Sequence, residues 1–128
     1  MLKPLFIEAT QESPRILLDN EKNFFVFEGI SIPENSAVFY QPVLDWLTKF
    51  QKEDYEKNIE IHFKIKYYNS SSYARISRIF SLLDDCFKSG KMIKILWYYH
   101  PADETTKEDG LEFQKHHSVP TELISFEN

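Results

Sequence analysis

Hydrophobic and polar residues alternate without interruption between Ile59 and Tyr68, and this stretch has the clearest pattern in the chain. One set consists of Ile59, Ile61, Phe63, Ile65 and Tyr67, and the other of Glu60, His62, Lys64, Lys66 and Tyr68. Successive side chains of a strand point to opposite faces, so this period of two predicts a strand with one face against a core.

A run of polar residues, Asn69 to Ser72, ends the alternation with side chains that favour turns and helix N-caps. Apolar residues then recur at helical spacing. They are Ile76, Ile79, Phe80, Leu83 and Phe87, and Gly90 is placed to end the helix in a left-handed conformation. The sequence therefore predicts a strand, a serine loop and a helix. The loop lies at the carboxyl end of the strand and the positive end of the helix, where open α/β sheets place chemistry or recognition.

Shorter patterns precede this central unit. Residues 5–7, 15–19 and 24–30 predict strands, and the polar turn between the last two predicts a β-hairpin. The segment Pro33-Glu34-Asn35 has helix-start chemistry, with Asn35 expected to cap the first turn and Glu34 to suit its positive end. The following helix contains Pro42, so it either begins near Tyr40 or begins at Ser36 and kinks, and we favour the kink.

Three further elements follow the central unit. Residues 91–99 are largely apolar on both alternating sets, with Lys94 in one of them, which predicts a central strand covered on both faces. Residues 104–117 predict a weaker helix with Gly110 in its middle and Leu111 and Phe113 as anchors, and residues 119–126 predict a last strand. The fold class is therefore α/β. We expect one domain over residues 1–128, with an N-terminal hairpin, a mixed sheet, about three helices and right-handed crossovers.

Composition limits the classes of partner. The formal net charge of −5 argues against nucleic acid and against an anionic membrane, because both favour basic surfaces. No apolar run approaches the roughly 18 residues that a membrane span needs, and the N-terminus lacks a signal-peptide pattern. The single cysteine, Cys86, lies on a helix flank and is expected to be a buried thiol. We expect a cytoplasmic protein.

The residues needed for common enzyme sites are missing or scattered. Three glycines cannot form a phosphate-binding loop or a dinucleotide fingerprint. His116 and His117 diverge by about 100° on a helix, so we expect no metal site. Asp84 and Asp85 diverge in the same way, and a solvated helix face explains them better than a catalytic pair. We expect no cofactor and no catalytic residue.

The charges of the helix after the serines are reversed relative to its macrodipole. Arg75 and Arg78 lie in its first turns and Asp84 and Asp85 in its last turns, whereas the dipole favours the opposite arrangement by about 0.3–1 kcal/mol per charge. An anion near the serines, such as a phosphate or a partner's carboxylates, would relieve the two arginines. Alternatively, all four charges are exposed, screened and without a function.

Two motifs resemble those of the SiaC-type regulatory phosphoproteins. The first runs from Gly29 to Ser36 and continues through residues 39–43 and Trp46-Leu47, and the second is Tyr68 to Ser72 with the helix that follows it. Residues 97–99 also fit, so the resemblance covers nearly the whole chain. It implies a STAS-like fold, as in anti-sigma factor antagonists, and a regulatory switch rather than an enzyme.

The resemblance also implies partners and a modified residue. Family members are phosphorylated after the loop asparagine by a SiaB-like kinase with a histidine-kinase-like ATPase fold, and a SiaA-like PP2C phosphatase reverses this. The unmodified form binds and activates a SiaD-like diguanylate cyclase, in cyclic-di-GMP signalling and biofilm control. Carried over, the modified residue is Ser70. The family has threonine there, so Ser71 is the second candidate. The expected partner-binding residues are Asn69, Ser71, Ser72, Arg75 and Arg78.

Two other functions fit the residues less well. A STAS-like anti-sigma factor antagonist would use the same switch on a different target. A small enzyme would need a deep pocket with convergent polar groups near the serines.

Overall fold

The computed structural model describes residues 2–126, and these form one six-stranded sheet with three helices. In chain order the elements are β1 (Leu5–Ile7), β2 (Arg15–Asp19), β3 (Phe24–Ser31), α1 (Ser36–Gln51), β4 (Ile59–Tyr68), α2 (Ser70–Lys88), β5 (Ile93–Tyr99), α3 (Glu104–His116) and β6 (Thr121–Ser125). This order and the mixed α/β class confirm the prediction from the sequence.

The strands lie side by side in the same order as along the chain. β1, β2 and β3 are antiparallel neighbours, whereas β3, β4, β5 and β6 are parallel and are connected through the three helices. Because each crossover advances in the same direction, right-handed connections place all three helices on one face of the sheet. The carboxyl ends of the four parallel strands therefore meet at one edge, next to the N-termini of the helices.

The core lies between the helices and this covered face. It joins one alternating set of strand residues to residues of every helix, including Tyr40 of α1, Phe80 of α2 and Phe113 of α3. Phe80 stacks on Phe113 with ring centroids 4.2 Å apart, and both contact the Trp97 ring of β5. Aromatic packing thus fixes α2 and α3 on the sheet.

The prediction that β5 is covered on both faces is wrong. Ile95 and Trp97 lie in the core, but Lys94 is exposed and Met92 is 48 % exposed on the other side. The reason is the topology, because three crossovers of one hand leave the second sheet face without a helix. Leu96 is nevertheless buried on that face, which explains the apolar pattern that suggested full coverage.

The first helix begins at Ser36 rather than near Tyr40 and contains Pro42 in its interior, which confirms the start that we favoured. Asn35 is the N-cap, and its side-chain oxygen accepts a hydrogen bond from the Val38 N–H at 3.1 Å. This confirms the predicted capping role of Asn35. Pro42 has no N–H, so the Val38 carbonyl four residues earlier receives no helical hydrogen bond from it.

An irregularity near the end of β4 corrects the predicted side-chain pattern. Gly29 pairs with Ile65, but the next residue, Ile30, pairs with Tyr67, so the register shifts by one residue on β4. A one-residue shift exchanges the faces of the side chains that follow. Tyr67 is therefore 58 % exposed, and Tyr68 packs against the core instead.

Candidate functional site

The three consecutive serines form the first turn of α2 rather than a loop. The helix begins at Ser70, and Asn69 is its N-cap. The Asn69 side-chain oxygen accepts from the Ser72 N–H at 2.9 Å and from the Ser71 hydroxyl at 3.2 Å. Ser70 and Ser71 are exposed. The expectation that Ser70 precedes the helix is thus corrected by one position, because Asn69 rather than a serine caps it.

Ser72 has a different environment from its neighbours, because it is completely buried. Its hydroxyl accepts from the Ser31 hydroxyl at 2.8 Å, and the Ser31 hydroxyl lies 2.6 Å from the Tyr40 hydroxyl. Burial raises the pKa of Tyr40 to about 12, against the opposing hydrogen bond with Ser31, so Tyr40 stays neutral. A buried hydroxyl cannot contact a partner, so we remove Ser72 from the predicted contact surface.

Hydrogen bonds from two other elements also hold this turn. The Asn69 N–H donates to the Ser31 carbonyl at 3.2 Å, and the Ser36 hydroxyl donates to the Ser71 carbonyl at 3.2 Å. The end of β3 and the start of α1 therefore fix the start of α2. The two motifs, Gly29 to Ser36 and Tyr68 to Ser72, meet at this point.

An open pocket of about 260 Å³ lies beside Ser70. Its lining consists of Tyr68, Asn69, Ser70, Tyr73, Thr105 and Asp109. The volume is below the range of roughly 300–1,000 Å³ that is typical of small-molecule sites. The surface around Ser70 therefore suits a protein contact better than an enclosed catalytic site.

The pocket contains a carboxylate bonded to a tyrosine. The Tyr68 hydroxyl donates to Asp109 Oδ2 at 2.5 Å. Burial, this hydrogen bond and the Asp109 charge together raise the pKa of Tyr68 far above its usual value, so Tyr68 remains a donor at every physiological pH. The Tyr73 ring stacks near Tyr68 at a centroid distance of 6.3 Å. Sequence analysis did not identify Thr105 or Asp109, since α3 is distant along the chain, and it did not single out Tyr73 among the residues of α2.

The two arginines of α2 differ in exposure. Arg78 is exposed, whereas Arg75 is half-buried and its Nε has no hydrogen-bond partner among residues 2–126. Arg75 therefore carries a donor that its own surroundings do not satisfy. The inverted charge pattern remains at this end of the helix, where the dipole disfavours cations.

At the other end of α2, the interpretation of Asp84 as part of a solvated face is wrong. Asp84 is 6 % exposed, accepts from the Val119 N–H at 2.7 Å and lies 3.2 Å from the Lys88 ammonium. Burial opposes its ionisation, but these two contacts outweigh burial and lower the pKa of Asp84 below its ordinary value. Asp84 is a structural residue that fixes the segment before β6.

The remaining reactive or metal-binding side chains of the described residues do not form a site. Cys86 is fully buried, as predicted, and burial raises the pKa of its thiol to about 11. Within residues 2–126, no group of three or more His, Cys, Asp and Glu side chains is arranged to hold a metal ion. None of the helices in that range is long and apolar enough to cross a membrane.

Comparison with models of protein families identifies one family. The family model described as SiaC family regulatory phosphoprotein matches residues 7–126. An uncharacterised protein of Pseudomonas aeruginosa is 29 % identical over 119 residues, which cover 93 % of this chain and 94 % of that protein.

Solved structures give the same result. The chain is similar to a structure of the diguanylate cyclase SiaD in complex with its activator SiaC from Pseudomonas aeruginosa, with a TM-score of 0.85 and 28 % identity over 95 % of this chain and 99 % of that chain. It is also similar to apo-SiaC of that organism, with a TM-score of 0.84 and 27 % identity over 94 % and 98 % of the two chains.

Proposed function

Because this chain belongs to the SiaC family of regulatory phosphoproteins, we propose that it is a phosphorylation-controlled activator of a diguanylate cyclase. The unmodified form binds and activates the cyclase, and phosphorylation releases it. The SiaC structure to which this chain is similar is that of an activator bound to its cyclase, which supports this partner class. We place the function in one domain over residues 1–128, in the cytoplasm and without catalytic activity of its own.

The observation that carries the proposal is the exposed Ser70 hydroxyl at the first position of a firmly held helix. A phosphate brings about −1.5 to −2 charges, and the free N–H groups and dipole of a helix N-terminus stabilise added negative charge. The buried Ser31, Tyr40 and Ser72 hydroxyls hold the turn beneath it. Modification of Ser70 therefore changes the surface without requiring a change in the core.

Release follows from the cost of covering a charge. A partner surface that fits a neutral hydroxyl would have to bury a dianion after phosphorylation, at a cost of several kcal/mol. We assign Asn69, Ser71, Arg75 and Arg78 to the surface around Ser70 that contacts partners. Both arginines lie in the half of α2 that is nearer its positive end, so a phosphate or a partner's carboxylates would relieve their charges.

Control requires two opposing enzymes. We propose a SiaB-like kinase that phosphorylates Ser70 and a SiaA-like PP2C phosphatase that removes the phosphate. Ser71 is the second candidate for modification, since it is also exposed but donates its hydroxyl to the Asn69 cap. Ser72 is excluded as a substrate by its burial.

The test is phosphorylation by the cognate kinase, followed by mass-spectrometric mapping of the modified residue. The wild type and Ser71→Ala should accept one phosphate on Ser70, and Ser70→Ala should accept none. Modification that maps to Ser71 in the wild type and persists in Ser70→Ala would move the site. An unmodified chain that neither binds nor activates the cyclase would refute the function itself.

A further inference from the structure

The pocket beside Ser70 has an unbalanced negative charge. Asp109 lies at its edge on α3 and is only half-buried, and no Lys, Arg or His among residues 2–126 forms an ion pair with it. Tyr68 donates to Oδ2 of this carboxylate, and none of the described residues donates a hydrogen bond to Oδ1. One carboxylate oxygen therefore remains available to a further donor.

The rest of the pocket lining is uncharged, and two of its residues are aromatic. The Tyr68 and Tyr73 rings are inclined to each other by 25° and form one wall, and Thr105 lines the α3 side. The charges of Asp109 and Glu112 act on Tyr73, and after the effect of burial both raise its pKa. A flat cation is the group that fits, because it can lie on an aromatic ring and donate to a carboxylate at once.

We propose that this pocket receives an arginine side chain of the diguanylate cyclase, whose guanidinium bonds Asp109 and packs against Tyr68 and Tyr73. The inference rests on the proposed function and names the contact that the cyclase makes beside Ser70. Guanidinium is favoured over ammonium because it is planar, weakly hydrated and able to donate two parallel hydrogen bonds.

The same carboxylate explains where a phosphate on Ser70 would lie. The negative charges of Asp109 and of a phosphate on Ser70 would repel each other, so Asp109 disfavours a conformation in which the phosphate enters the pocket. The phosphate then stays on the surface that the cyclase covers. Asp109 thus has two effects, attraction of the partner's cation in the unmodified form and exclusion of the dianion in the modified form.

Three substitutions distinguish the effect of the pocket itself from the effect of the overall charge. Each of them raises the net charge of the chain by one. Asp109→Asn keeps the acceptor for Tyr68 but removes the charge. Thr105→Arg introduces a guanidinium four residues from Asp109 on the same helix, where it can occupy the pocket itself. Glu108→Gln is the control, because Glu108 is exposed on α3 and does not line the pocket.

The measurement is the affinity of the full-length unmodified chain for the cyclase at two salt concentrations. We expect Asp109→Asn and Thr105→Arg to weaken binding by about tenfold or more, and Glu108→Gln by less than about twofold, since tenfold corresponds to roughly 1.4 kcal/mol. Added salt should weaken the wild type more than Asp109→Asn. Thr105→Arg leaves the hydrogen bond between Tyr68 and Asp109 in place. It therefore still tests whether the pocket must be open for binding if Asp109→Asn is too unstable to measure.

The two hypotheses fail in different ways. If the wild type binds the cyclase and all three variants bind within twofold of it, the arginine pocket is refuted and the proposed function stands. If the unmodified wild type does not bind the cyclase, the proposed function is refuted, and this inference is refuted with it. Phosphorylation of Ser70 by the kinase is measured separately in each variant.

Discussion

Gly110 gives the sharpest test of how α3 is held on the sheet. A Cβ atom at this position would lie 2.3 Å from Trp97 Cδ1 and 2.6 Å from Trp97 Nε1, far inside contact distance. Trp97 is fully buried, and its Nε1–H donates to the Thr106 carbonyl at 2.9 Å. The ring therefore cannot move away without losing a buried hydrogen bond and disturbing its contacts with Phe80 and Phe113.

Opposing terms determine the effect of Gly110→Ala on stability. Alanine gains about 1 kcal/mol over glycine in a helix interior. Overpacking costs typically about 1–3 kcal/mol, and a damaged buried hydrogen bond adds about 0.5–1.5 kcal/mol. We therefore expect a net loss of about 0.5–3.5 kcal/mol, although helix propensity alone predicts a gain.

The assay is urea unfolding followed by tryptophan fluorescence. Glu108→Ala, at an exposed position two residues away on α3, is the control and should be neutral or slightly stabilising. In a Trp97→Val background, Gly110→Ala should be less harmful, because the two ring atoms nearest to the new Cβ, Cδ1 and Nε1, are gone. A Gly110→Ala protein that is as stable as the wild type would show that α3 does not pack closely on Trp97.

Two further predictions concern single side chains. Asn35→Ala should lower the free energy of unfolding by about 1 kcal/mol through loss of the cap on α1, and a loss of partner binding with unchanged stability would contradict that role. The lowered pKa of Asp84 means that its contribution to stability is complete above the ordinary value of 3.8 and is lost as the pH falls through the lowered value. Asp84→Asn should therefore show a shallower loss of stability below pH 3.8 in acid-unfolding curves, and an unchanged curve would refute the assignment.

Local patterns in the sequence predict most of the fold. The alternation before Asn69, the helical spacing after it and the caps at Asn35 and Gly90 depend on neighbouring residues, and Gly90 does adopt a left-handed conformation with φ of 110°. The pattern of β5 led to a wrong prediction of its burial. Apolar residues on an open sheet face give the same sequence pattern as residues that a second layer of helices covers.

Half of the candidate site depends on contacts between distant segments, and these carry no local signal. The register shift after Gly29 turns the Tyr68 side chain towards the core. A right-handed crossover then brings Asp109, 41 residues further along the chain, into hydrogen-bond contact with Tyr68. Helix propensity predicts that Gly110 weakens α3, because propensity takes no account of the Trp97 ring that lies against this residue. Asp84 looked solvated because nothing near it in the sequence indicates the Val119 N–H.

The central claim is that a phosphate on Ser70 determines whether the cyclase is bound. Isothermal titration of the cyclase with unmodified chain and with chain phosphorylated stoichiometrically on Ser70 tests it most directly. We predict tight binding of the unmodified form and a loss of affinity of at least about 100-fold after phosphorylation, which corresponds to roughly 2.7 kcal/mol. Ser70→Ala should bind like the unmodified form after treatment with the kinase. Equal affinity of the two forms would contradict the account.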